Sequence, residues 1–417
     1  MDLSIEQPCP SCGAEIVINE DDRLIRCEFC DVPSFRVRQK LPRYLLPPKL
    51  PSHIDEDGVF YIPYLRFKGC IYSIQGKEVL HRLIDTTRVG CDSGFVPASL
   101  GLRPQAMKVR PVTDHATGKF VRQTVKADSI FHEAAKITRI FTEDRKSHLY
   151  HRAFIGETIS RIYLPAYRYS GMLYDGVTHQ KLGLDTVAEE FGKSLLPFAR
   201  DWEPRYISML CPECGDVMHG SRETLVVVCS GCSRHWIEEG GTFHALGYLA
   251  VPPRESEAHY LPFWRIEPED ESGQLVSLAD FFELTNQPVV IRRSHREQKM
   301  VFTIPAFKLN PALFLQTSRM LTVGQGSSPL PQQYDIAGDN VYPVTLPASE
   351  AAEALKTVLV ASSVSIRKVL DLLSTIQFRT YRKKLIYLPF RDAGHDFIEQ
   401  HTGVCIANAA LRYGKKM

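Results

Sequence analysis

The chain of 417 residues has no surplus of either charge, with 50 Lys and Arg against 48 Asp and Glu. Residues 1–200 carry 28 basic and 24 acidic side chains, which leaves 22 and 24 for the remainder. A protein held to nucleic acid mainly through phosphates shows a basic surplus or stripe. Its absence places polymer binding behind other readings. Long apolar runs are missing too. The nearest, Leu355–Leu373, is interrupted by Ser362, Ser363, Ser365, Arg367 and Lys368. That is too broken for the roughly 18 apolar residues of a membrane span and reads as an amphipathic helix. The opening MDLSIEQPCP has no basic region leading into an apolar stretch, so no secretory signal is expected. Catalytic signatures are equally scarce. There is no P-loop, no His-Glu-x-x-His and no Gly-x-Ser-x-Gly, and Gly324-Gln-Gly326 lacks a third glycine. His395–Asp396 reads as a turn rather than an acid–base pair.

Against these absences stands a pattern of cysteines. Eleven are present, and eight fall into two units of identical spacing, Cys-x2-Cys-x14-Cys-x2-Cys. One holds Cys9, Cys12, Cys27 and Cys30, the other Cys211, Cys214, Cys229 and Cys232. Each has Pro after its first cysteine and Gly after its second. Two thiolates separated by two residues can face one ion from a tight turn, and the glycine suits a backbone position that needs φ > 0. Between the knuckles, Glu15–Ile18 can run out and Arg23–Arg26 return through the turn residues Asn19–Asp22. Arg222–Val228 is the matching return in the second unit. Four thiolates then close a tetrahedron with no open position, so two structural Zn²⁺ ions are expected. In a chain without an export signal, metal is favoured over disulfides. A redox dithiol or an iron–sulfur centre is the competing use of such cysteines. The remaining three, Cys70, Cys91 and Cys405, read as core residues unless a base approaches them in space.

More than the cysteines is repeated. FYIPYLRFKG (Phe60–Gly69) follows the first unit, and HYLPFWRIE (His259–Glu267) follows the second. VPASLGLRPQAM (Val96–Met107) pairs with IPAFKLNPALF (Ile304–Phe314), and IYLPAYRYSG (Ile162–Gly171) with IYLPFRDAG (Ile386–Gly394). The shared order implies a tandem duplication. The expected fold is α+β, each half a four-cysteine zinc ribbon followed by a mainly antiparallel β-body with one or two helices. The ribbons span 1–40 and 205–245, the bodies 41–200 and 246–417. Asp128–Phe141 and Ala348–Ile376 read as helices, the second broken near Ser362–Ser363. Residues 184–202 read as a further helix, Leu41–Pro51 as an extended connector and Gly324–Gln333 as a loop.

The Tyr-x-Pro segments alternate as strands, and proline, lacking an N–H, is expected at a strand start or sheet edge. A cation follows three residues after the proline at Arg66, Arg168 and Arg265, and Lys308 does the same after Pro305. The fourth copy departs, with Arg391 two after Pro389. Two readings stand. The strands bury an aromatic face and pair each cation with a carboxylate or a ring. Alternatively, Tyr61, Arg66, Tyr163, Arg168, Tyr260, Trp264, Arg265 and Lys308 form a platform for a ligand or partner.

Both cysteine units resemble the zinc ribbons of transcription factors, polymerase subunits and many bacterial proteins of unknown role. The resemblance covers residues 9–30 and 211–232 and implies Zn²⁺ on the eight cysteines. It carries no nucleic-acid activity with it, for the basic loops that would justify one are missing. Tyr61–Arg66, Tyr260–Arg265 and Leu100–Met107 are similar to segments of bacterial ribbon proteins and bring no activity either. The expectation is a cytoplasmic, zinc-binding interaction or scaffold protein with a protein partner. The alternatives are a nucleic-acid-associated factor, or an enzyme with a site in the cleft between the halves.

Overall fold

The computed structural model describes residues 2–55, 58–92, 94–140, 147–184, 195–326, 328–336 and 340–413. Its frame is two long antiparallel strand pairs. Phe60–Gln75 pairs with Leu149–Tyr169 in the first half, and His259–Asp270 with Phe378–Asp392 in the second. The registers coincide. Tyr61 lies opposite Pro165 and Pro63 opposite Tyr163; Tyr260 lies opposite Pro389 and Pro262 opposite Tyr387. The two Tyr-x-Pro segments of each half are therefore partners in one ladder. A short parallel strand joins each pair at the same level, Arg43–Leu45 beside Tyr163 and Tyr248–Ala250 beside Tyr387. The chain is a tandem duplication of α+β type, and the duplication extends to individual backbone pairings.

The prolines do not begin their strands. Each sits inside a long strand, at the level where the outer neighbour stops. Tyr64 pairs with Val89, Ala166 with Asp175, Phe263 with Pro305 and Phe390 with Glu399, in each case the last residue of the outer strand. The next residue along then donates its N–H to the proline carbonyl, from Gly90, Gly176, Ala306 and Gln400. A residue's N and C=O face the same side of a strand. The missing N–H of each proline therefore faces a neighbour that has already turned away, and no ladder bond is lost. The paired Pro-Ala segments agree only in their second proline. Pro104 and Pro311 both open helices, Arg103–Ala106 and Pro311–Val323. Pro305 ends a strand, however, and the matching strand end in the first half is Val89, eight residues before Pro97.

The ribbons match pair for pair at a spacing of 202 residues, so that Leu24 opposite Phe35 becomes Val226 opposite Ile237. The expected hairpin from Glu15–Ile18 to Arg23–Arg26 does not ladder. Glu15–Asn19 pairs upstream with Ser4–Pro8, and Leu24–Arg26 pairs downstream with Pro33–Arg36. In the second ribbon Met218–His219 does pair with the returning strand, which is Val226–Cys229. The third strand of each ribbon has a different origin. Thr242–Ala245 folds back locally in the second, whereas the first takes Tyr206–Ser208 from beyond the boundary placed at residue 205.

Burial explains why the halves stay together. Leu24, Phe35, Met209, Met218, Val227 and Trp236 form one core shared by both ribbons. The far ends of the first half's long strands enter the second half. Cys70, Tyr72, Ile74, Ala153 and Ile155 lie in the same core as Phe314, Leu355, Val358 and Leu359. Tyr72 packs against Phe314, and its hydroxyl donates to the Pro311 carbonyl at 2.9 Å.

The helix Ser129–Ile140 covers Leu65 and Phe67 through Ile130 and Ala134; Phe141 of the expected span lies outside the described residues. The second long helix is broken into Ala348–Glu353, Leu355–Ala361 and Ile366–Leu372. Ser362 and Ser363 give their hydroxyls to the carbonyls of Val358 and Leu359, the bond that lets serine end a helix. The second body also carries Leu278–Thr285, capped by Ser277 with Asp280, and so exceeds the one or two helices expected. Of the helix expected over 184–202, residues 185–194 lie outside the described residues. Leu195–Leu196 is a strand and Arg200–Trp202 a single 3-10 turn. A core shared across the halves predicts one cooperative unfolding transition. Tyr72→Ala should lower stability by about 3–5 kcal/mol in chemical denaturation. A split transition in which the second half keeps its midpoint would contradict this.

Candidate metal centres and the cleft between the halves

Each quartet is set by two tight turns. In the first turn the Cys9 N–H donates to the Ala14 carbonyl at 2.7 Å and Gly13 donates back to Cys9 at 3.0 Å, with Gly13 at φ 76°. Cys211, Asp216 and Gly215 repeat this, Gly215 at φ 77°. The second turn places Asp31 and Ser233 in the same left-handed region, both at φ 55°. The four sulfurs of each unit lie within 4.8 Å of one another. Cys9–Cys30 and Cys12–Cys27 are 3.9 and 3.8 Å apart, Cys211–Cys232 and Cys214–Cys229 3.7 and 3.3 Å. Four thiolates about 2.3 Å from a tetrahedral ion stand about 3.8 Å apart, whereas a disulfide needs about 2.05 Å. Both quartets thus have the spacing of a metal centre. The N–H groups of Ser11 and Phe29 point at the Cys9 and Cys27 sulfurs, each at 3.4 Å, and stabilise thiolate.

The thiols of a quartet cannot all ionise unaided. Burial raises Cys9, but the N–H groups of Cys12 and Ser11 and the neighbouring thiols bring it to about 7. Cys30 goes the other way, to about 12, its Val32 N–H outweighed by burial and by the other thiols. In the second quartet Cys211 falls to about 6 and Cys214 rises to about 12. Crowded thiols separate in this way because each new thiolate repels the next, and a divalent cation removes that repulsion.

A cluster of buried ions lies between the first ribbon and both bodies. Arg66, wholly buried, makes two hydrogen bonds to Asp85 at 2.8 and 2.7 Å and two to Glu20 at 2.6 and 3.2 Å. Lys68 reaches Asp2 at 2.6 Å, Glu20 at 3.1 Å and Asp21 at 3.2 Å. Lys308, from the second body, reaches Asp21 at 3.0 Å. Burial alone would raise Asp21, but the ammonium groups of Lys308 and Lys68 hold it well below the usual carboxylate range.

These contacts decide what the eight residues of the candidate platform do. Tyr61, Tyr163, Tyr260 and Trp264 are 5, 1, 7 and 3% exposed and offer no open face for stacking. Arg66 and Lys308 are engaged in ion pairs, and Arg168 lies 4.8 Å from the centre of the Phe60 ring. Arg265 is partly buried, and desolvation pulls its guanidinium down. The structure does not gather the eight on one surface. It places the aromatic side chains in cores, Arg66 and Lys308 in the ion cluster and Arg168 over a ring, which is the packing arrangement. Cys70 and Cys91 are buried and pushed up to about 12 and about 11, so neither is thiolate at neutral pH. Cys405 is exposed. His395 stands exposed in the turn closed by the Ala393 N–H and the Asp396 carbonyl.

A cavity of about 730 Å³ opens where both ribbons and both bodies meet. Arg23, Arg36, Arg38 and Glu20 line it from the first ribbon, Glu238 from the second, Glu157 from the first body and Trp264 from the second. No histidine or cysteine is among the described residues lining it. The arginines were not singled out in the sequence. A comparison of the halves at a spacing of 202 would have exposed them, because Arg23, Arg36 and Arg38 correspond to Leu225, Glu238 and Gly240.

Two measurements check the charges. Arg66→Met leaves Glu20 without its main partner, and a buried pair broken on one side costs about 3–5 kcal/mol. Unchanged stability would deny the cluster its role. Glu157 is raised to about 7 by burial and by the Glu350 and Glu353 carboxylates, against Arg38. The folded state then holds a proton that the unfolded chain has released, so stability is lost as pH climbs from the ordinary glutamate range through about 7. Glu157→Gln should be more stable than wild type at pH 8 by about 1 kcal/mol, allowing for partial exposure, and no more stable at pH 5. Equal melting curves at pH 8 would refute this. Compared with models of protein families, with curated proteins and with solved structures, the chain matches none.

Proposed function

We propose that the chain is a non-catalytic, zinc-binding interaction protein, a subunit or adaptor of a larger assembly in a reducing compartment such as the cytoplasm. The carrying observation is the pair of closed four-cysteine groups whose ribbons share one core. Four sulfurs fill a tetrahedral shell and leave no position for substrate, so zinc here stabilises fold rather than reacting. The quartet sulfurs stand 3.3–3.9 Å apart, a spacing of metal ligands rather than disulfides, which fits a reducing setting. Among the described residues no helix is long and apolar enough to cross a membrane.

The contact surface is proposed at the first metal centre. Phe29, between the two closing cysteines, is 73% exposed, and Val32 just after them is 44% exposed. A large apolar side chain held out on a metal-braced turn is the kind of rigid anchor that interfaces use. The second ribbon has Gly231 at the position of Phe29, so one ribbon of the two presents this anchor.

Purified protein should carry two equivalents of zinc, and Cys27→Ser should lose one. Phe29→Asp should keep both equivalents yet lose at least about tenfold in affinity for a partner that co-purifies with the wild type. Zinc far below two equivalents would end the structural-metal reading. Undiminished capture by Phe29→Asp would end the proposed surface.

A further inference from the structure

The cleft has a charge balance that folding alone leaves open. Glu20 on its wall is already used by Arg66 and Lys68, and Asp21 by Lys68 and Lys308. Arg36 gives an N–H to the Glu20 carbonyl, a backbone group without charge. Arg38, largely exposed, reaches Glu350 at 3.4 Å. Arg23 is half-buried, deep in protein yet open to the cavity, and no carboxylate pairs with it among the described residues. Burial, and then the charges of Arg36 and Arg38, pull its guanidinium down to about 10. Buried cations are normally paired, and an unpaired Arg23 with Arg36 beside it and the exposed Arg38 at the cavity's edge attracts an anion.

The rest of the lining narrows the ligand. Tyr44 and Trp264 contribute apolar edges. Glu157 has a buried Oε2 with no hydrogen-bond partner, so the cleft holds a waiting acceptor as well as waiting donors. Planar guanidinium forks fit phosphate oxygens two at a time, which favours phosphate over a single carboxylate where several line one cavity. Pockets of about 300–1,000 Å³ enclose ligands of small-molecule size.

We propose that the cleft between the halves binds a phosphorylated small molecule of nucleotide size, its phosphate held by Arg23, Arg36 and Arg38 and an amino or amide N–H donated to Glu157. The site is separate from the metal centres, and because zinc content is measured independently of ligand binding, failure of this proposal is distinguishable from failure of the zinc reading.

The test uses the full chain with its zinc content verified. Titration calorimetry and thermal shift are run with the four ribonucleoside monophosphates, their nucleosides, inorganic phosphate and a short single-stranded oligonucleotide. At least one monophosphate should bind and raise the melting temperature, with its nucleoside at least about tenfold weaker. Arg23→Ala and Arg38→Ala should each weaken that binding about tenfold or more at unchanged zinc content, and Arg23→Lys should recover part of it. If Arg23→Ala fails to fold, the exposed Arg38 still decides the matter. Absence of binding by all four monophosphates, wild-type binding by both alanine variants, or binding of the oligonucleotide alone would overturn the proposal.

Discussion

The arrangement of this molecule depends on one acidic turn. Glu20, Asp21 and Asp22 close the first ribbon's middle loop, Asp22 by accepting the Asn19 N–H at 2.9 Å. Glu20 and Asp21 then enter the protein and take cations from both bodies, Arg66 and Lys68 from the first and Lys308 from the second. Removing such charges from water costs several kcal/mol each, and they are tolerable only when every lone pair is met. That demand for geometry fixes where the ribbon sits. A slip by one residue would strand a carboxylate in the core, so the cluster acts as a register between three parts of the chain.

The same turn breaks the symmetry of the duplication. In the second ribbon its place is taken by Arg222, Glu223 and Thr224. There the backbone makes the contact, with the Arg222 carbonyl accepting the N–H groups of Arg23 and Leu24 at 2.6 and 2.9 Å. One copy of the loop thus grips the bodies through side chains and the other grips its sister ribbon through a carbonyl. Small ribbons have little core of their own and rely on metal. Here they also pool apolar residues, with Phe35 meeting Phe243 across the two units at 5.3 Å. The shared core thus supports the same pair of folds that the two metal-spaced quartets would brace.

The legible parts of the sequence were those governed by local geometry. Four thiolates around one ion require fixed short spacings, so Cys9 through Cys30 and Cys211 through Cys232 declare themselves. The Tyr-x-Pro repeats declared the duplication for a similar reason, since a ladder shared by two segments constrains both. Their meaning was less accessible. Whether Pro63 sits at a strand start or within one depends on where Val89 turns away, which is a property of a neighbouring strand. The cations after each proline look alike in sequence and differ in space. Arg66 meets carboxylates, Arg168 meets a ring, and Lys308 reaches the opposite half's ribbon. Tyr206–Ser208 reads as the start of one ribbon and is built into the other, because backbone pairing has no residue code strong enough to forbid it.

The cleft follows from what duplication does to charge. Two identical ribbons packed face to face would set arginine against arginine, since positions 23, 36 and 38 meet a cavity that positions 225, 238 and 240 also approach. Repulsion of that kind costs more inside a cavity than at a surface. The second ribbon has Leu225, Glu238 and Gly240 instead, and Glu238 accepts the Arg38 N–H at 3.0 Å. Glu238 and Glu239 bring carboxylates to that side of the cavity, but Glu238 spends this bond on a backbone amide, and among the described residues no carboxylate pairs with the Arg23 guanidinium. The first ribbon's guanidinium groups are left concentrated on one wall. Arg23, held beside Arg36 and Arg38 with no paired carboxylate among the described residues, is a costly feature in a folded chain, and an anionic ligand is the simplest agent that offsets it.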